Sequence, residues 1–427
     1  MARMRKLMPL REALRLVREA LRPRPLRTER VRLEEALGRV LAEDVLAPFD
    51  VPGFRRALMD GYAVRAADTF SASLEAPVKL RLVGEVRVGE VASARVGPGE
   101  CAVIATGAML PEGADAVVRV EGTAREGERV LVMEPVSPGQ NVMEADADVR
   151  AGQVVLKAGT LLTPQRIGIL SALGLEAVEV FARPRVAVFS TGEELLRPGE
   201  ALVPGRIYDI NWATITAAAR LAGGEPSFMG VAPDELEELR ALLARGLEEA
   251  DVVVATGASS VGAADLMREA LSAIGARVLV DGVRCKPGKP TIIALAGGKP
   301  IFCLPGKPTS ALLTFTLFAE PVIARMAGLA GVARPVVSAR LAERVVPDTG
   351  RHNFVFVRLA KAAGGGLVAE PIFKDAAAIT ALGLAHGFVE VPEGTELLPE
   401  GSEVSVTLLW PAWPIGRSDL VPEARVG

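Results

Sequence analysis

Four short segments between residues 190 and 308 carry residue types suited to a phosphorylated ligand. Ser190-Thr191-Gly192-Glu193-Glu194-Leu195 directly follows an apolar run that reads as a buried strand. The hydroxyls can donate to a phosphate oxygen, Gly192 permits a tight turn, and Glu194 can face a metal. The same segment also reads as an ordinary strand-end turn. Thr256-Gly257-Ala258-Ser259-Ser260-Val261-Gly262-Ala263-Ala264-Asp265 lies between a strand and a helix. Backbone N–H groups of such a loop, with Ser259, Ser260 and Gly262 within it, can cradle an anion at the helix N-terminus. The plainer reading is that Asp265 caps that helix. Lys286-Pro287-Gly288-Lys289-Pro290 and Pro305-Gly306-Lys307-Pro308 are basic turns stiffened by proline, on either side of two adjacent strands. Each alone also reads as a solvated loop. Their occurrence beside two polar glycine loops in one stretch favours a site for phosphate or another oxyanion.

Two segments nearer the N-terminus each bring an acid and a hydroxyl: Met59-Asp60-Gly61-Tyr62-Ala63, and Thr106-Gly107-Ala108 with Gly113-Ala114-Asp115-Ala116-Val117. As residues alone they read as structural turns. Asp234 follows Pro233 at a strand-to-helix junction, where a helix-start role and a role in organising metal or phosphate both stand.

The elements that must position these residues follow from hydrophobic periodicity. Pro9–Arg22 and Arg32–Leu41 read as amphipathic helices. From Lys79 to Met133 short β-type runs alternate with Gly/Pro/Glu turns, the pattern of a small all-β module. A helix returns at Thr163–Leu173, with Thr163 as N-cap and Pro164 at its first position. The β module thus reads as an insertion. From Arg185 onward strands alternate with helices of 10–15 residues, which predicts βαβ units on a parallel sheet with ligands beyond the strands' carboxyl ends. After Arg334 the pattern is β again. The expected architecture is multidomain α/β plus β. A discontinuous helical domain takes residues 1–50 and 149–182, and a β-rich insertion takes 51–148. A Rossmann-like parallel α/β domain covers 183–330, a C-terminal β domain 331–410, and an irregular tail 411–427.

Composition removes several function classes. Lysine plus arginine number 49 against 52 acids, for a net charge of −3, which argues against nucleic acid as the main partner. Two histidines and three scattered cysteines leave no histidine triad, CxxC pair or disulfide framework, so any metal should be hard and oxygen-ligated, and a reducing cytoplasm fits. The basic Met1–Leu10 stretch is not followed by an apolar signal core, and no apolar run of about 18 residues suggests a membrane span.

Taken in order, these motifs resemble the molybdopterin molybdotransferase family, which includes the E domain of eukaryotic gephyrin. The family segments MDGYA, TGA…P.GADAVV, STG(D/E)EL, SGG.S.G..D, KPGKP and PGNP.SA all have counterparts here, and Ile207-Tyr208-Asp209-Ile210-Asn211 resembles IYDxN. The resemblance runs from about Pro9 to Leu409. It implies a homodimer of elongated four-domain subunits whose active site is shared between the α/β domain of one subunit and the inserted domain of the other. It also implies insertion of molybdate into adenylylated molybdopterin, with release of AMP and molybdenum cofactor. Molybdopterin adenylyltransferase and apo-molybdoenzymes are the partners it suggests.

Carried over by motif, Asp60, Thr106, Asp148, Glu194, Asp234 and Asp265 match acidic or hydroxyl positions of the site. Lys286, Lys289, Pro305 and Pro308 match its basic and rigid positions, and Gly350-Arg351 resembles a basic turn of the C-terminal domain. Carboxylates alone would repel a phosphoanhydride and a molybdate dianion. They make sense when Glu194, Asp234 and Asp265 hold Mg²⁺, with the lysines offsetting oxyanion charge.

The chain departs from the pattern in places. The SGG of the anion loop is Thr256-Gly257-Ala258, and the asparagine of PGNP is Lys307. The approach to Asp148 reads Asn141-Val142-Met143-Glu144-Ala145-Asp146-Ala147, and the serine-bearing turn of the C-terminal domain reads Lys374-Asp375-Ala376-Ala377-Ala378. These departures leave open a non-catalytic or altered-specificity paralogue that carries molybdopterin or its adenylylated form, and a nucleotide hydrolase on the same α/β domain.

Overall fold

The Arg185–Thr191 strand is buried along nearly all its length, as is Val252–Thr256 beside it. Such continuous Val/Ala/Phe runs suit a sheet covered on both faces. The computed structural model describes residues 7–257, 261–362 and 365–409, so Ser259, Ser260 and the tail 411–427 lie outside the described residues. By contacts the chain divides into two units. One comprises the N-terminal segment to Val31, Glu35–Ala42 and everything from Val178 onward, and the other Arg32–Glu34 with Glu43–Ala177.

In the larger unit, a six-stranded sheet runs in the order Glu225–Ala232, Arg185–Thr191, Val252–Thr256, Lys299–Leu304, Ile292–Ala296, Arg277–Asp281. The first four are mutually parallel, Ile292–Ala296 runs antiparallel to them, and Arg277–Asp281 runs antiparallel to Ile292–Ala296. The sheet is therefore mixed, not the all-parallel one that strand–helix alternation predicts. The cause is local: Gly297 and Gly298, both at positive φ, form a two-residue hairpin turn between Ile292–Ala296 and Lys299–Leu304. Helices Asn211–Leu221, Leu236–Glu249 and Val261–Ala273 follow the parallel strands. One face of the sheet buries Phe302 with Val186 and Val254, and the other buries Phe189 with Leu239 and Leu243. Truncating either phenylalanine to alanine costs about 3–5 kcal/mol.

The predicted helix over Thr309–Met326 appears as Pro308–Thr314, a π-turn at Phe315–Ala319, and Glu320–Met326. Pro321 lacks the N–H that would bond four residues back, and the widened turn absorbs this. Leu10–Leu21 is the expected first helix, and its buried Leu10, Ala13 and Val17 belong to the α/β core. The second expected helix is absent. Thr28–Arg32 is a strand paired with Ala177–Phe181, and only a 3₁₀ turn at Leu33–Glu35 remains of Arg32–Leu41. Cross-strand pairing across a gap of over a hundred residues outweighs helical periodicity there.

The C-terminal strands close into a barrel. His352–Lys361, Leu367–Pro371, Val336–Leu341, Glu403–Leu408 and Gly387–Val391 are neighbours in that order, and Gly387–Val391 pairs back onto His352–Lys361. A sixth strand comes from outside it: Cys285–Lys286 pairs in parallel with His352–Asn353.

In the smaller unit the β module is a six-stranded sheet of Ala116–Arg119, Gly61–Val64, Glu100–Ile104, Val78–Val86, Arg129–Val132 and Thr123–Glu126. Sequence periodicity found four of these. Gly61–Val64, read as part of a turn, is instead a fully buried inner strand. Its flanks are tied together where Val45–Leu46 pairs with Val154–Leu156. Pro164 opens the helix Pro164–Ala172 as expected, although the Thr163 side chain makes no cap bond. Among the described residues no helix is long and apolar enough to cross a membrane.

Candidate functional site

Parallel pairing aligns the carboxyl ends of four strands at one sheet edge, with Thr191 opposite Ala232, Ser190 opposite Thr256, and Thr256 opposite Leu304. The register therefore brings Ser190–Glu194, Asp234, Gly257 and Pro305–Lys307 to one edge, where open α/β sheets bind ligands. Ser190 Oγ and Thr256 Oγ1 lie 3.1 Å apart, both buried, while the buried Thr191 Oγ1 has no hydrogen-bond partner among the described residues. Gly257 has φ +116°, and a Cβ there would meet the Thr191 hydroxyl at 2.6 Å and the backbone of Thr191 closer still. Only glycine lets these two strand ends approach so nearly.

Acid residues gather at the same edge. Asp234 has its carboxyl pushed up from 3.8, first by partial burial and then by the charges of Glu194 and Glu193. A Cβ on Gly192 would strike the Glu194 carboxylate at 2.7 Å, so the glycine makes room for that acid. The geometry separates Asp265 from the role of helix cap: it is the fifth residue of Val261–Ala273, with Arg268 Nη1 2.8 Å from its Oδ1. Among the described residues no three carboxylates, histidines or cysteines stand together as a ready metal cluster. Glu194, Asp234 and Asp265 are thus not a preformed three-ligand site. Two converging carboxylates still suit Mg²⁺, which commonly takes one or two from protein and the rest from water and substrate phosphates.

The basic residues line a cavity of about 670 Å³ between the α/β domain and the barrel. Its wall includes Lys286, Lys289, Lys307, Arg351 and Lys374, with Asp348 and Asp375 as its acids. The Cys285–Lys286 strand pairing onto the barrel puts the whole Lys286–Pro290 turn in this wall, which explains why sequence spacing alone could not link it to Arg351. Lys286 Nζ lies 2.7 Å from Asp348, and Arg351 lies 3.8 Å from the same carboxylate. Lys307 is bound by both oxygens of Asp375, at 2.9 and 3.0 Å. Pro305 and Pro308 are buried and fix the Lys307 turn.

Asn211 is a residue of this edge whose role the sequence did not disclose. Its side-chain amide donates to the Gly306 carbonyl at 2.8 Å, holding the Lys307 turn, while Asp209, 2% exposed, accepts from the Asn211 and Trp212 N–H groups. The IYDxN likeness flagged the pair, but only the fold shows what it grips.

In the smaller unit Asp60 and Thr106 do meet. Asp60 Oδ1 accepts from the Thr106 N–H at 2.6 Å and from its hydroxyl at 2.8 Å, and these bonds hold the carboxyl below its usual value. Asp60 borders a cavity of about 380 Å³ with Glu85, Arg87 and Tyr62. Asp148 is exposed, and its backbone N–H bonds Val51. No side-chain bond joins it to Asp60 or Thr106 among the described residues.

The chain is similar to known proteins in sequence and in fold. Residues 8–174 match the family described as MoeA N-terminal region (domain I and II), 187–325 the probable molybdopterin binding domain, and 338–409 the MoeA C-terminal region (domain IV). The chain is 33% identical over 407 residues to a molybdopterin molybdenumtransferase of Bacillus subtilis, covering 92% of this chain and 94% of that one. It is 32% identical over 378 residues to the protein of that name from Staphylococcus aureus, covering 88% and 90%. A crystal structure of a molybdopterin biosynthesis MoeA protein from Pyrococcus horikoshii superposes with a TM-score of 0.83 at 43% identity, over 96% of this chain and 100% of that one. A second from the same species gives 0.79 at 34% identity, over 94% and 100%. Three family models in chain order and a superposition over nearly the whole chain agree, and the chain belongs to the MoeA family of molybdopterin molybdenumtransferases.

Proposed function

We propose that this enzyme of molybdenum cofactor biosynthesis inserts molybdate into adenylylated molybdopterin, cleaving the adenylyl group and releasing AMP and molybdenum cofactor. The observation that carries this reading is the pairing of acids with bases around the Lys307 turn: Glu194 and Asp234 at the sheet edge, and a cavity walled by Lys286, Lys289, Lys307 and Arg351. The acids suit a metal that shares phosphate oxygens, and the bases suit an oxyanion. Mg²⁺, held by Glu194 and Asp234 and completed by the substrate, would supply charge neutralisation at the phosphoanhydride. Asp265 supports the same helix N-terminal region through Arg268.

Gly262 offers its backbone N–H group to the phosphate at the helix N-terminus, and Ser190 and Thr191 offer hydroxyls. Lys286, Lys307 and Arg351 bind molybdate or stabilise the departing phosphate. In this reading the protein is a homodimer, and Asp60 and Thr106, with Asp148, complete the site from the partner subunit. Incubation with adenylylated molybdopterin, molybdate and Mg²⁺ should release AMP and yield cofactor that activates an apo-molybdoenzyme. Tight binding without AMP release would replace the transferase reading by that of a carrier. A monomeric mass by light scattering would remove the shared site.

A further inference from the structure

Two ion pairs clasp the basic cavity, each joining a lysine of the α/β domain to an aspartate of the barrel domain. Lys286 meets Asp348, and Lys307 meets Asp375. The second clasp is the more unusual. Both of its members stand where the sequence leaves the pattern it resembles, and they contact each other through both carboxylate oxygens. Beside them Thr309 donates its backbone N–H and its hydroxyl to the Ala376 carbonyl, at 3.3 and 2.9 Å, so the two loops are stitched together at the cavity wall. Asp375 is also held in place by its own turn, where Oδ1 accepts from the Ala377 N–H at 2.8 Å. The carboxylate is therefore tethered at one position, facing the ammonium that an incoming oxyanion needs.

We propose that Asp375 is a built-in counter-anion that occupies Lys307 until an oxyanion displaces it, and so sets the affinity of oxyanions for the Lys286–Lys307–Arg351 cavity. It is a positioning residue, acting through Lys307. A tethered group competes at a high effective concentration, so even a weak pair raises the threshold for a free ligand. Because both partners are more than half exposed, the pair itself is modest. Its removal should tighten oxyanion binding by about three- to tenfold, because a free anion no longer has to displace a tethered carboxylate. The clasp keeps weakly binding anions out of the cavity, because the carboxylate holds the lysine whenever it is vacant.

The inference rests on the cavity being the oxyanion site, and the test separates the two. Molybdate binding to the full-length protein is measured by calorimetry, with inorganic phosphate as a second probe, for wild type, Lys286→Met, Lys307→Met, Asp375→Asn and Lys307→Met/Asp375→Asn. Asparagine keeps an oxygen that can accept from the Ala377 N–H, so the turn survives the change. Expected results are weaker binding for Lys286→Met and tighter binding for Asp375→Asn. The asparagine change should have less than about a twofold effect in the Lys307→Met background, which is the signature of pairwise coupling. If wild type binds neither anion, or Lys286→Met leaves binding unchanged, the cavity reading falls and the clasp with it. If Lys286→Met weakens binding but Asp375→Asn does not tighten it, the clasp alone is overturned. An equal gain in both backgrounds also overturns it, because a general field effect then suffices.

Discussion

Replacing Gly257 by alanine tests the close approach on which the sheet-edge site depends. At φ +116° an L-residue is strained, which costs about 1–3 kcal/mol. The new Cβ would sit 2.9 Å from the Thr191 carbonyl carbon and 2.6 Å from its Oγ1, against an ordinary carbon contact of about 3.5–4.0 Å. The obstacle is backbone within the same sheet, so a strand end must shift by roughly an ångström, and such overpacking costs about 1–3 kcal/mol more. The combined loss of about 2–6 kcal/mol is a large part of a typical domain's 5–15 kcal/mol. Gly262 is an internal control five residues on. It lies in the helix Val261–Ala273 with open space where a Cβ would go, so alanine there should stabilise by about 0.5–1 kcal/mol. Urea unfolding of both variants, combined with hydrogen-exchange protection of the Val252–Thr256 strand, assigns the change to this sheet. A Gly257→Ala protein within about 0.5 kcal/mol of wild type would refute the reasoning, as would two changes of the same sign.

Two titrations follow from the carboxylates. Asp234 has a raised folded-state value, so the folded chain holds its proton more tightly than the unfolded chain does. That contribution is fully present below 3.8 and is lost as pH rises through the folded value. Asp234→Asn should therefore raise the melting temperature of the metal-free protein at neutral pH while lowering AMP release, and Mg²⁺ should raise the melting temperature of wild type more than that of the variant. Equal Mg²⁺ shifts in both proteins would exclude Asp234 from metal binding. Asp60 has the opposite sign: its lowered value adds stability above 3.8 that is lost as pH falls through the folded value. Thr106→Val keeps the backbone bond but removes the hydroxyl, so the Asp60 carboxyl should titrate closer to 3.8 when followed by carbon NMR. An unshifted titration would show that the backbone N–H alone sets its acidity.

Much of the α/β domain was legible because its strands are continuous apolar runs and its helices are long enough to show their period. The barrel strands were legible too, but their closure was not, since pairing between Gly387–Val391 and His352–Lys361 leaves no local trace. The same limit applies to the site. Ser190, Asp234 and Lys307 reach one edge through parallel register, which strand–helix alternation foreshadows. Lys286 meets Asp348 only because a two-residue strand crosses to the barrel, a contact between positions 62 apart. Gly61–Val64 escaped as a strand because its glycine start and its acid neighbour look like a turn. The inner-sheet position of that strand instead demands the glycine, since a Cβ there would run into the Val118 carbonyl.

The Cys285–Lys286 strand also bears on how this protein can be cut and recombined. The barrel looks like a detachable module beginning near Val336, yet one of its edges is completed by residues fifty positions earlier. A chimera joined between the α/β domain and the barrel would inherit its basic turn from one parent and that turn's pairing partner from the other. Exchanges that carry residues 282–290 together with the barrel preserve this seam, whereas those that split them ask two unrelated backbones to agree at a single two-residue register.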